Sequence, residues 1–238
     1  MNTRETYNQY GEAYHQKRLR EHDSIYNRYL DQPMIEKLLG PNLEQQQILD
    51  LGCGSGLLSK ALIKKGAQVS GIDFSDTLIE IANHECPEGD FRLGNINDLP
   101  FPDLSFDVVV SALVFHYEQD LLPGFSEAKR VLQRNGRFIF TIHHPIQEVL
   151  EKDDDPSSRR LRPYFHNEAY DWEMLESMSL RSYHHTFETI SEALFKAGFA
   201  IEQIVEARAP EALKTNHPRI YDDTRDYPSF CGFKAFPI

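Results

Sequence analysis

The sequence of 238 residues predicts an α/β fold, in which a mostly parallel sheet is covered by helices on both faces. Three observations support this prediction. Short apolar runs alternate with segments of helical periodicity from residue 47 to residue 142. The first apolar run ends in a glycine cluster that leads directly into a helix, and the second ends in an acidic residue. Strands that alternate with helices in this way are joined by right-handed crossovers.

The strands are predicted from short apolar or β-branched runs, and the helices from apolar residues three and four positions apart. Residues 105–111 form the clearest central strand, because they are β-branched and bounded by polar residues. Ser75 is expected to cap the helix that follows the second strand. The predicted elements are strands over 47–51, 68–72, 91–93, 105–111, 137–142, 200–206 and 230–236, and helices over 56–65, after Ser75, over 121–132 and over 186–196.

Two regions lie outside this alternation. Before the first strand we expect two helices, one through Tyr14 and one over residues 31–39. After the fifth strand the periodicity stops, and residues 146–182 are polar with scattered aromatic residues. A stretch of this length in a compact domain is usually a lid or substrate-facing insertion, or else disordered. We therefore expect one domain over 1–238, with an N-terminal helical lid over 1–40 and a substrate-facing insertion at about 146–182.

The composition limits the classes of partner. The formal net charge of −12 argues against a nucleic-acid partner, because phosphate binding uses clustered Lys and Arg. Three scattered cysteines and the lack of H-E-x-x-H and C-x-x-C motifs predict neither a disulfide framework nor a metal site. No apolar run approaches the roughly 20 residues that span a bilayer. The N-terminus is polar, so we expect a cytoplasmic protein without a signal peptide or membrane contact.

A glycine turn is the strongest functional signal. Gly52, Gly54 and Gly56 lie between the first strand and its helix. Glycine lets the backbone turn sharply and lets a ligand approach the main-chain N–H groups. The helix N-terminus behind the turn favours an anionic group. Asp73 ends the next strand roughly 20 residues later, where a carboxylate can accept hydrogen bonds from both ribose hydroxyls of a nucleoside. These residues together predict a nucleoside cofactor.

Four segments resemble, in order and spacing, the motifs of class I S-adenosylmethionine-dependent methyltransferases. They are residues 48–56, 69–75, 94–101 and 106–111. The set covers about residues 45–143 and is similar to the small-molecule, type 11-like branch rather than the RNA or DNA branches. Residues 197–199 and the strand after them look like the family's closing hairpin. The resemblance implies S-adenosylmethionine as cofactor and a Rossmann-like seven-stranded sheet of order 3-2-1-4-5-7-6, with the last strand antiparallel.

The resemblance also implies roles for individual residues. Asp73 would hold the ribose, Phe74 would pack on adenine, and Asn95 would face the adenine amino group. The family commonly has an acid at the position of Asn95, and an amide can still accept that hydrogen bond through its carbonyl oxygen. Tyr14 would close over the cofactor. The implied cofactor-binding residues are Tyr14, Asp50, Gly52, Cys53, Gly54, Gly56, Asp73, Phe74, Asn95, Ile96, Ser111 and Ala112.

Candidate catalytic residues follow from the chemistry of methyl transfer. The donor is already activated, so alignment of the reacting atoms supplies most of the rate, and a base is needed only if the acceptor loses a proton. His116 lies where relatives often have a histidine near the methyl group. His143 ends the fifth strand, on the sheet edge where α/β enzymes bind ligands. His144 and His184 are further candidates.

Several alternatives remain open at this point. Four aromatic residues of the insertion could line an apolar acceptor pocket or form a small satellite core: Tyr164, Phe165, Tyr170 and Trp172. A nicotinamide-dependent oxidoreductase shares the turn and the acid but expects G-x-G-x-x-G, whose last place holds Leu57. A protein that binds the cofactor without catalysis fits the same residues, whereas acidity disfavours an RNA methyltransferase. We expect a monomeric or homodimeric enzyme that methylates an O, N or C atom of a small molecule.

Overall fold

The computed structural model describes residues 2–20, 22, 24–152, 158–166, 168–175 and 178–238. Short π-helical and 3-10 segments occur at Asn27–Asp31 and Phe115–Tyr117. The helices are α1 (Thr3–Leu19), α2 (Gln32–Leu39), α3 (Leu57–Lys64), α4 (Asp76–Glu85), α5 (Leu122–Val131), α6 (Pro145–Glu148), α7 (Phe187–Lys196), α8 (Glu211–Asn216) and α9 (Pro218–Thr224). The strands are β1 (Gln47–Leu51), β2 (Gln68–Asp73), β3 (Asp90–Leu93), β4 (Phe106–Ala112), β5 (Leu132–His143), β6 (Leu150–Lys152), β7 (Arg159–Leu161), β8 (Ala169–Leu175), β9 (Met178–Tyr183), β10 (Phe199–Glu206) and β11 (Phe230–Pro237).

The main sheet has the strand order β3-β2-β1-β4-β5-β11-β10. Strands β1 to β5 are parallel, and β11 is antiparallel to both of its neighbours. In the centre of the sheet, Leu49 lies opposite Ser70 on one side and Val109 on the other. The predicted seven-stranded order with an antiparallel last strand is therefore confirmed. Its carboxyl edge, where β1, β2, β4 and β5 end together, is the place where open parallel sheets bind ligands.

The elements predicted between residues 47 and 142 are present. The predicted cap of α4 is confirmed, because the Ser75 hydroxyl accepts a hydrogen bond from the Leu78 amide at 3.3 Å. The fifth strand differs from the prediction, since it begins at Leu132 rather than at 137. Residues 133–136 form an irregularity within this strand, where its register against β4 shifts. Helices α8 and α9 were not expected, because each is too short for a periodic pattern to show.

The region after β5 has regular structure in the part that is described. Helix α6 is followed by two antiparallel hairpins, β6–β7 and β8–β9. In β9, Met178, Leu180 and Ser182 are buried, and the residues between them are exposed. This two-residue alternation is the pattern of a strand with one buried face. The predicted aperiodic stretch over 146–182 is thus corrected for the described residues, and residues 153–157, 167 and 176–177 of it lie outside them.

The hydrophobic core lies on both faces of the sheet. One face packs against α5 and α7, and Phe138 and Phe140 of β5 lie at its centre with ring centroids 4.9 Å apart. Two residues apart on a strand, these side chains point to the same face. The other face packs against α2, where Leu38 contacts a cluster that includes Ile48 and Val108. Within the described residues, no helix is long and apolar enough to cross a membrane.

The aromatic core should contribute a large share of the free energy of unfolding. Phe138 is fully buried, so Phe138→Ala should lower that free energy by about 3–5 kcal/mol, through lost burial and an unfilled cavity. Phe195 on α7 is 71% exposed and gives a matched control, Phe195→Ala, whose effect should stay within about 0.5 kcal/mol. Urea unfolding followed by circular dichroism measures both. Equal effects of the two substitutions would contradict this assignment of the core.

Candidate functional site

The turn between β1 and α3 adopts a backbone conformation that favours glycine. Gly52 and Gly54 have φ values of 68° and 54°, in the left-handed region. A Cβ at Gly52 would lie 2.4 Å from a methyl carbon of Val114. At Gly54 a Cβ would have no atom of the described chain within 4 Å, because this residue faces a cavity. The Gly54 amide donates a hydrogen bond of 2.9 Å to the Asp73 carboxylate, which joins the turn to the end of β2.

A cavity lies above this turn at the carboxyl edge of the sheet, with about 630 Å³ of empty space that includes its opening to solvent. Its floor is formed by the turn and the ends of β2 and β4, and its roof by residues of α1. The lining residues are Tyr7, Tyr14, Gly52, Gly54, Asp73, Phe74, Leu78, Gly94, Asn95, Ile96, Ala112, Leu113, Val114, Tyr117 and Glu118. Eight of the twelve residues predicted from the sequence are therefore brought together around one cavity.

The other four predicted residues, all in the described chain, lie beneath the cavity rather than on its wall. Asp50 accepts a hydrogen bond of 2.6 Å from the Ser59 hydroxyl, and burial raises its pKa to about 7. Ser111 donates its hydroxyl to the Leu51 carbonyl at 3.0 Å. Cys53 packs into a small apolar cluster, and Gly56 is the residue that precedes α3. These four residues shape the turn from below.

Asp73 and Asn95 have local hydrogen bonds that set their orientation. Besides the bond from Gly54, the Asp73 carboxylate accepts the Ser75 amide at 2.9 Å. Burial raises the pKa of Asp73 to about 6, and these backbone hydrogen bonds oppose the rise. The Asn95 side-chain oxygen accepts the Asn97 amide at 2.9 Å. Both side chains are thus held in place and still keep acceptor lone pairs that can face the cavity.

The cavity wall also contains residues that the sequence analysis did not identify. The Tyr7 and Tyr117 hydroxyls lie 3.1 Å apart and form a pair across the cavity wall. The sequence did indicate Tyr7 as a cavity residue, because Tyr7 precedes Tyr14 by two helical turns and therefore lies on the same face of α1. Tyr117 had no comparable signal, since it lies in the short 3-10 segment after β4.

Helix α1 is fixed over the cavity by polar contacts to the elements below it. The His15 ring lies 2.9 Å from the Ser55 hydroxyl of the glycine turn, and both residues are buried. The Ser75 hydroxyl donates to the Asn8 side-chain oxygen at 2.7 Å, at the start of α4. The guanidinium of Arg4 pairs with Asp76 on the surface. Helix α1 therefore bridges the glycine turn and α4, above the cavity.

A second cavity of about 590 Å³ adjoins the first, and Ala112 lines both. Arg18 of α1 lines it and donates a hydrogen bond of 2.8 Å to the Tyr14 hydroxyl. Its Nε atom is buried and has no hydrogen-bond partner among the described residues. Asp31, on the same wall, accepts the Thr141 hydroxyl at 2.6 Å, and burial raises its pKa to about 6. A cation with an unused donor thus lies beside the main cavity.

The two candidate catalytic histidines form a stacked pair beside the cavity wall. The rings of His116 and His143 are 3.7 Å apart and nearly parallel. Burial lowers the pKa of His143 to about 4 and that of His116 well below its usual value, so both rings are neutral near pH 7. Neither ring nitrogen of His116 has a partner in the described chain. The ring of Tyr117, which lines the cavity, lies 4.2 Å from that of His116.

The remaining predicted residues take part in other contacts. His144 is paired with Glu206 at 3.2 Å, and His184 with Glu148 at 2.8 Å. Trp172 of the insertion packs in one cluster with Tyr7 and Tyr14, so it supports the roof of the cavity. Phe165, in contrast, is 79% exposed. Nowhere in the described ranges do three or more His, Cys, Asp or Glu residues form a group that could hold a metal ion.

Comparison with known proteins gives matches over the same region. A family model described as methyltransferase domain matches residues 49–140. An uncharacterized protein of Haemophilus influenzae is 29% identical, with 88% of this chain and 87% of that protein covered. The demethylmenaquinone methyltransferase of Thermotoga maritima is 34% identical over 44% of this chain and 46% of its own length. The chain thus spans about half the length of that enzyme.

A solved structure is similar over most of its length. The S-adenosylmethionine dependent methyltransferase of Mesorhizobium loti superposes with a TM-score of 0.74 and 26% sequence identity. The match covers 84% of this chain and 94% of that one. It therefore extends beyond the matched domain segment to most of the chain.

Buried Asp50 should make stability depend on pH. A folded pKa of about 7, raised by burial, means that protonated Asp50 favours the folded state. This contribution is complete below the unfolded pKa of about 3.9 and is lost as the pH rises through about 7. Asp50→Asn stays neutral, so from about pH 5 to about pH 8 its stability should rise relative to wild type by about 2–3 kcal/mol. Urea unfolding at both pH values measures the change.

The control for this measurement is Asp107→Asn, at an exposed position on β4. Its difference from wild type should be the same at both pH values, because its side chain is exposed to solvent and carries no cost of burial. A pH-independent difference for Asp50→Asn as well would contradict the raised pKa.

Proposed function

The chain belongs to the S-adenosylmethionine-dependent methyltransferases of class I fold, and from this premise we propose that it methylates a small-molecule acceptor at an oxygen, nitrogen or carbon atom. S-adenosylmethionine is the cofactor of this family. The observation that carries the proposal is the cavity over the glycine turn, since it joins open space at Gly54 to a buried carboxylate at Asp73. That combination suits a nucleoside with a charged tail.

The residues around the cavity fit the nucleoside part of the cofactor. The two oxygens of Asp73 are held by backbone amides from opposite sides, which leaves lone pairs for two ribose hydroxyls. Phe74 offers an aromatic face on the same wall, and Asn95 and Ile96 lie beside it. The Asn95 oxygen already accepts one amide, so its second lone pair would receive the adenine amino group.

The methionine part would extend from Gly52 and Ala112 toward the second cavity. That part carries a carboxylate, and Arg18 is the cation that reaches this cavity from α1. Its buried Nε lacks a partner in the described chain, although buried donors are normally paired. A carboxylate in contact with the guanidinium would supply the missing acceptor. Arg18 is thus proposed as the residue that recognises the amino-acid end of the cofactor.

The small-molecule character of the acceptor is supported by the residues that cover the site. Helix α1 and the Tyr7–Tyr117 pair lie over the cavity, which suits an acceptor small enough to fit beneath them. The net charge of −12 adds a repulsive field for nucleic acid. The relative from Thermotoga maritima is named for methylation of demethylmenaquinone, which is a small molecule.

When bound, S-adenosylmethionine supplies an activated methyl group, so the protein has to align the acceptor and exclude water. We propose that residues 1–40 act as a lid, because α1 contributes Tyr7 and Tyr14 to the cavity. Residues 146–182 would face the acceptor, since their hairpin β8–β9 packs against α1 through Trp172. Opening of α1 would then admit cofactor, and closure would order the site.

Removal of the Asp73 carboxylate should abolish most of the cofactor affinity. Two hydrogen bonds from ribose hydroxyls to a carboxylate contribute about 1.5–3 kcal/mol each, so Asp73→Ala should weaken binding by at least about 100-fold. Isothermal titration with S-adenosylmethionine, S-adenosylhomocysteine and NAD⁺ measures this. Asp90→Ala, at an exposed site on β3, should bind like wild type. Binding of NAD⁺ in place of the two sulfur nucleosides would overturn the proposal.

Arg18→Gln should distinguish the two ends of the cofactor. Loss of one charge-assisted contact to the carboxylate should weaken S-adenosylmethionine binding by about 10- to 100-fold. Methylthioadenosine has the same nucleoside and sulfur but lacks the amino-acid end, so its affinity should not change. Titration of both ligands into both proteins gives the comparison. An equal loss for the two ligands would show that Arg18 acts only through its bond to Tyr14.

A further inference from the structure

His143 lies at the carboxyl end of β5, and β5 pairs with β4, which carries Ala112 of the cavity wall. Thr141, two residues earlier, is paired with Ala112, and its carbonyl accepts the Leu113 amide at 3.1 Å. Both Ala112 and Leu113 line the cofactor cavity. His143 therefore lies on the strand adjacent to the one that forms the cavity wall. The ring of His116 covers one face of its ring.

A chain of hydrogen bonds runs from His143 into the insertion. The His143 Nδ1 atom lies 3.1 Å from the Tyr170 hydroxyl, which donates to Glu148 Oε1 at 3.1 Å. The other oxygen of Glu148, Oε2, lies 2.8 Å from His184 Nδ1. Finally, His184 Nε2 lies 2.8 Å from the backbone carbonyl of Tyr164. Glu148 and His184 are almost fully buried, so this chain is shielded from water.

The position of every proton in this chain of hydrogen bonds follows from the carbonyl of Tyr164 at its end. A carbonyl can only accept, so His184 Nε2 must carry a proton toward Tyr164. One further proton lies between His184 Nδ1 and Glu148 Oε2, whichever atom holds it. Burial raises the pKa of Glu148, and its contact with His184 opposes that rise. In either case Oε1 is unprotonated and must accept from Tyr170.

The same reasoning fixes the tautomer of His143. The single hydroxyl proton of Tyr170 is directed to Glu148, so its oxygen can only accept from His143. The proton of the neutral imidazole is therefore on Nδ1, and Nε2 keeps its lone pair. Within the described chain, no hydrogen bond is formed at Nε2. The side chain is 17% exposed, so it is open on one side.

We propose that His143 accepts the proton of the methyl acceptor at Nε2, and that Tyr170, Glu148 and His184 are positioning residues that keep this atom unprotonated. This rests on the proposed function. It also names the acceptor class, an uncharged hydroxyl compound. The His143 ring is surrounded by the rings of His116, Trp172 and Phe230, and such a wall disfavours an acceptor that arrives with a charge.

The proposed step balances in atoms and charge. The acceptor oxygen forms a bond to the methyl carbon as the carbon–sulfur bond breaks, and the electron pair of that bond stays on sulfur. The hydroxyl proton passes to His143 Nε2, and the imidazolium later releases it to water. An oxygen that has gained a methyl group while it keeps its proton is strongly acidic, so a weakly basic imidazole is sufficient. The Tyr170–Glu148 contact stabilises the positive ring while it lasts.

The tautomer can be measured without knowledge of the acceptor. In protein labelled with ¹⁵N-histidine, long-range proton–nitrogen spectra distinguish Nδ1–H from Nε2–H, and His143→Gln assigns the signal. We expect Nδ1–H for His143 in wild type and a shift toward Nε2–H in Tyr170→Phe, which cannot accept the Nδ1 proton. Tyr183→Phe on β9 is the matched control, because Tyr183 takes no part in these hydrogen bonds, and it should leave the tautomer unchanged. An Nε2–H tautomer in wild type would overturn the proposal.

A second measurement tests the acceptor class. Wild type is incubated with methyl-labelled S-adenosylmethionine and a bacterial small-molecule extract, and labelled products are identified by mass spectrometry. An O-methylated product, formed about 100-fold more slowly by His143→Gln, supports the proposal, and an N- or S-methylated product contradicts it. Titration with S-adenosylmethionine separates the proposed function from the proposed role of His143, since Tyr170→Phe should bind the cofactor normally. If wild type neither binds S-adenosylmethionine nor yields a product, the proposed function fails. The tautomer of His143 then still tests whether Tyr170, Glu148 and His184 fix its proton.

Discussion

Between β1 and α3 the chain reverses through residues with positive φ, and the Asp73 carboxylate holds that turn against the end of β2. A side chain at Gly52 would collide with Val114, so the close approach of the turn to the segment after β4 also requires glycine. The same turn presents Ser55 to His15, which fixes the roof helix. The floor, one wall and the roof of the cavity thus depend on one short backbone segment.

Burial of carboxylates under and beside this turn is costly, and the fold offsets the cost locally. Asp73 receives two backbone amides, and Asp50 receives the Ser59 hydroxyl, yet burial still raises the pKa of each. Hydrogen bonds to ribose hydroxyls would further stabilise the ionised form of Asp73. Binding of a nucleoside should therefore lower the pKa of Asp73 and relieve part of the desolvation penalty. The site is arranged so that ligand and fold stabilise the same ionised group.

The sheet and the glycine turn could be predicted because their signals are local. A strand, its turn and its helix are adjacent in sequence, and β1 was placed at its observed bounds. The roof of the cavity and the hydrogen bonds that run from His143 to His184 could not be predicted in the same way. Arg18 and Tyr117 reach the site through packing of α1 and a short 3-10 segment. The contact of His143 with Tyr170 joins elements 27 residues apart, and no periodic pattern encodes it.

The two sides of the site are therefore built by different means. Main-chain geometry and one carboxylate fix the cofactor side, which suits a ligand that is the same throughout the family. The acceptor side that we propose is built from side chains of the insertion, and there a backbone carbonyl at Tyr164 fixes the proton positions as far as His143. Substitution at Tyr170 or His184 can change the basicity of that side without disturbing the glycine turn. On this proposal, the position at which the insertion enters the fold lets the acceptor side vary while the cofactor side stays constant.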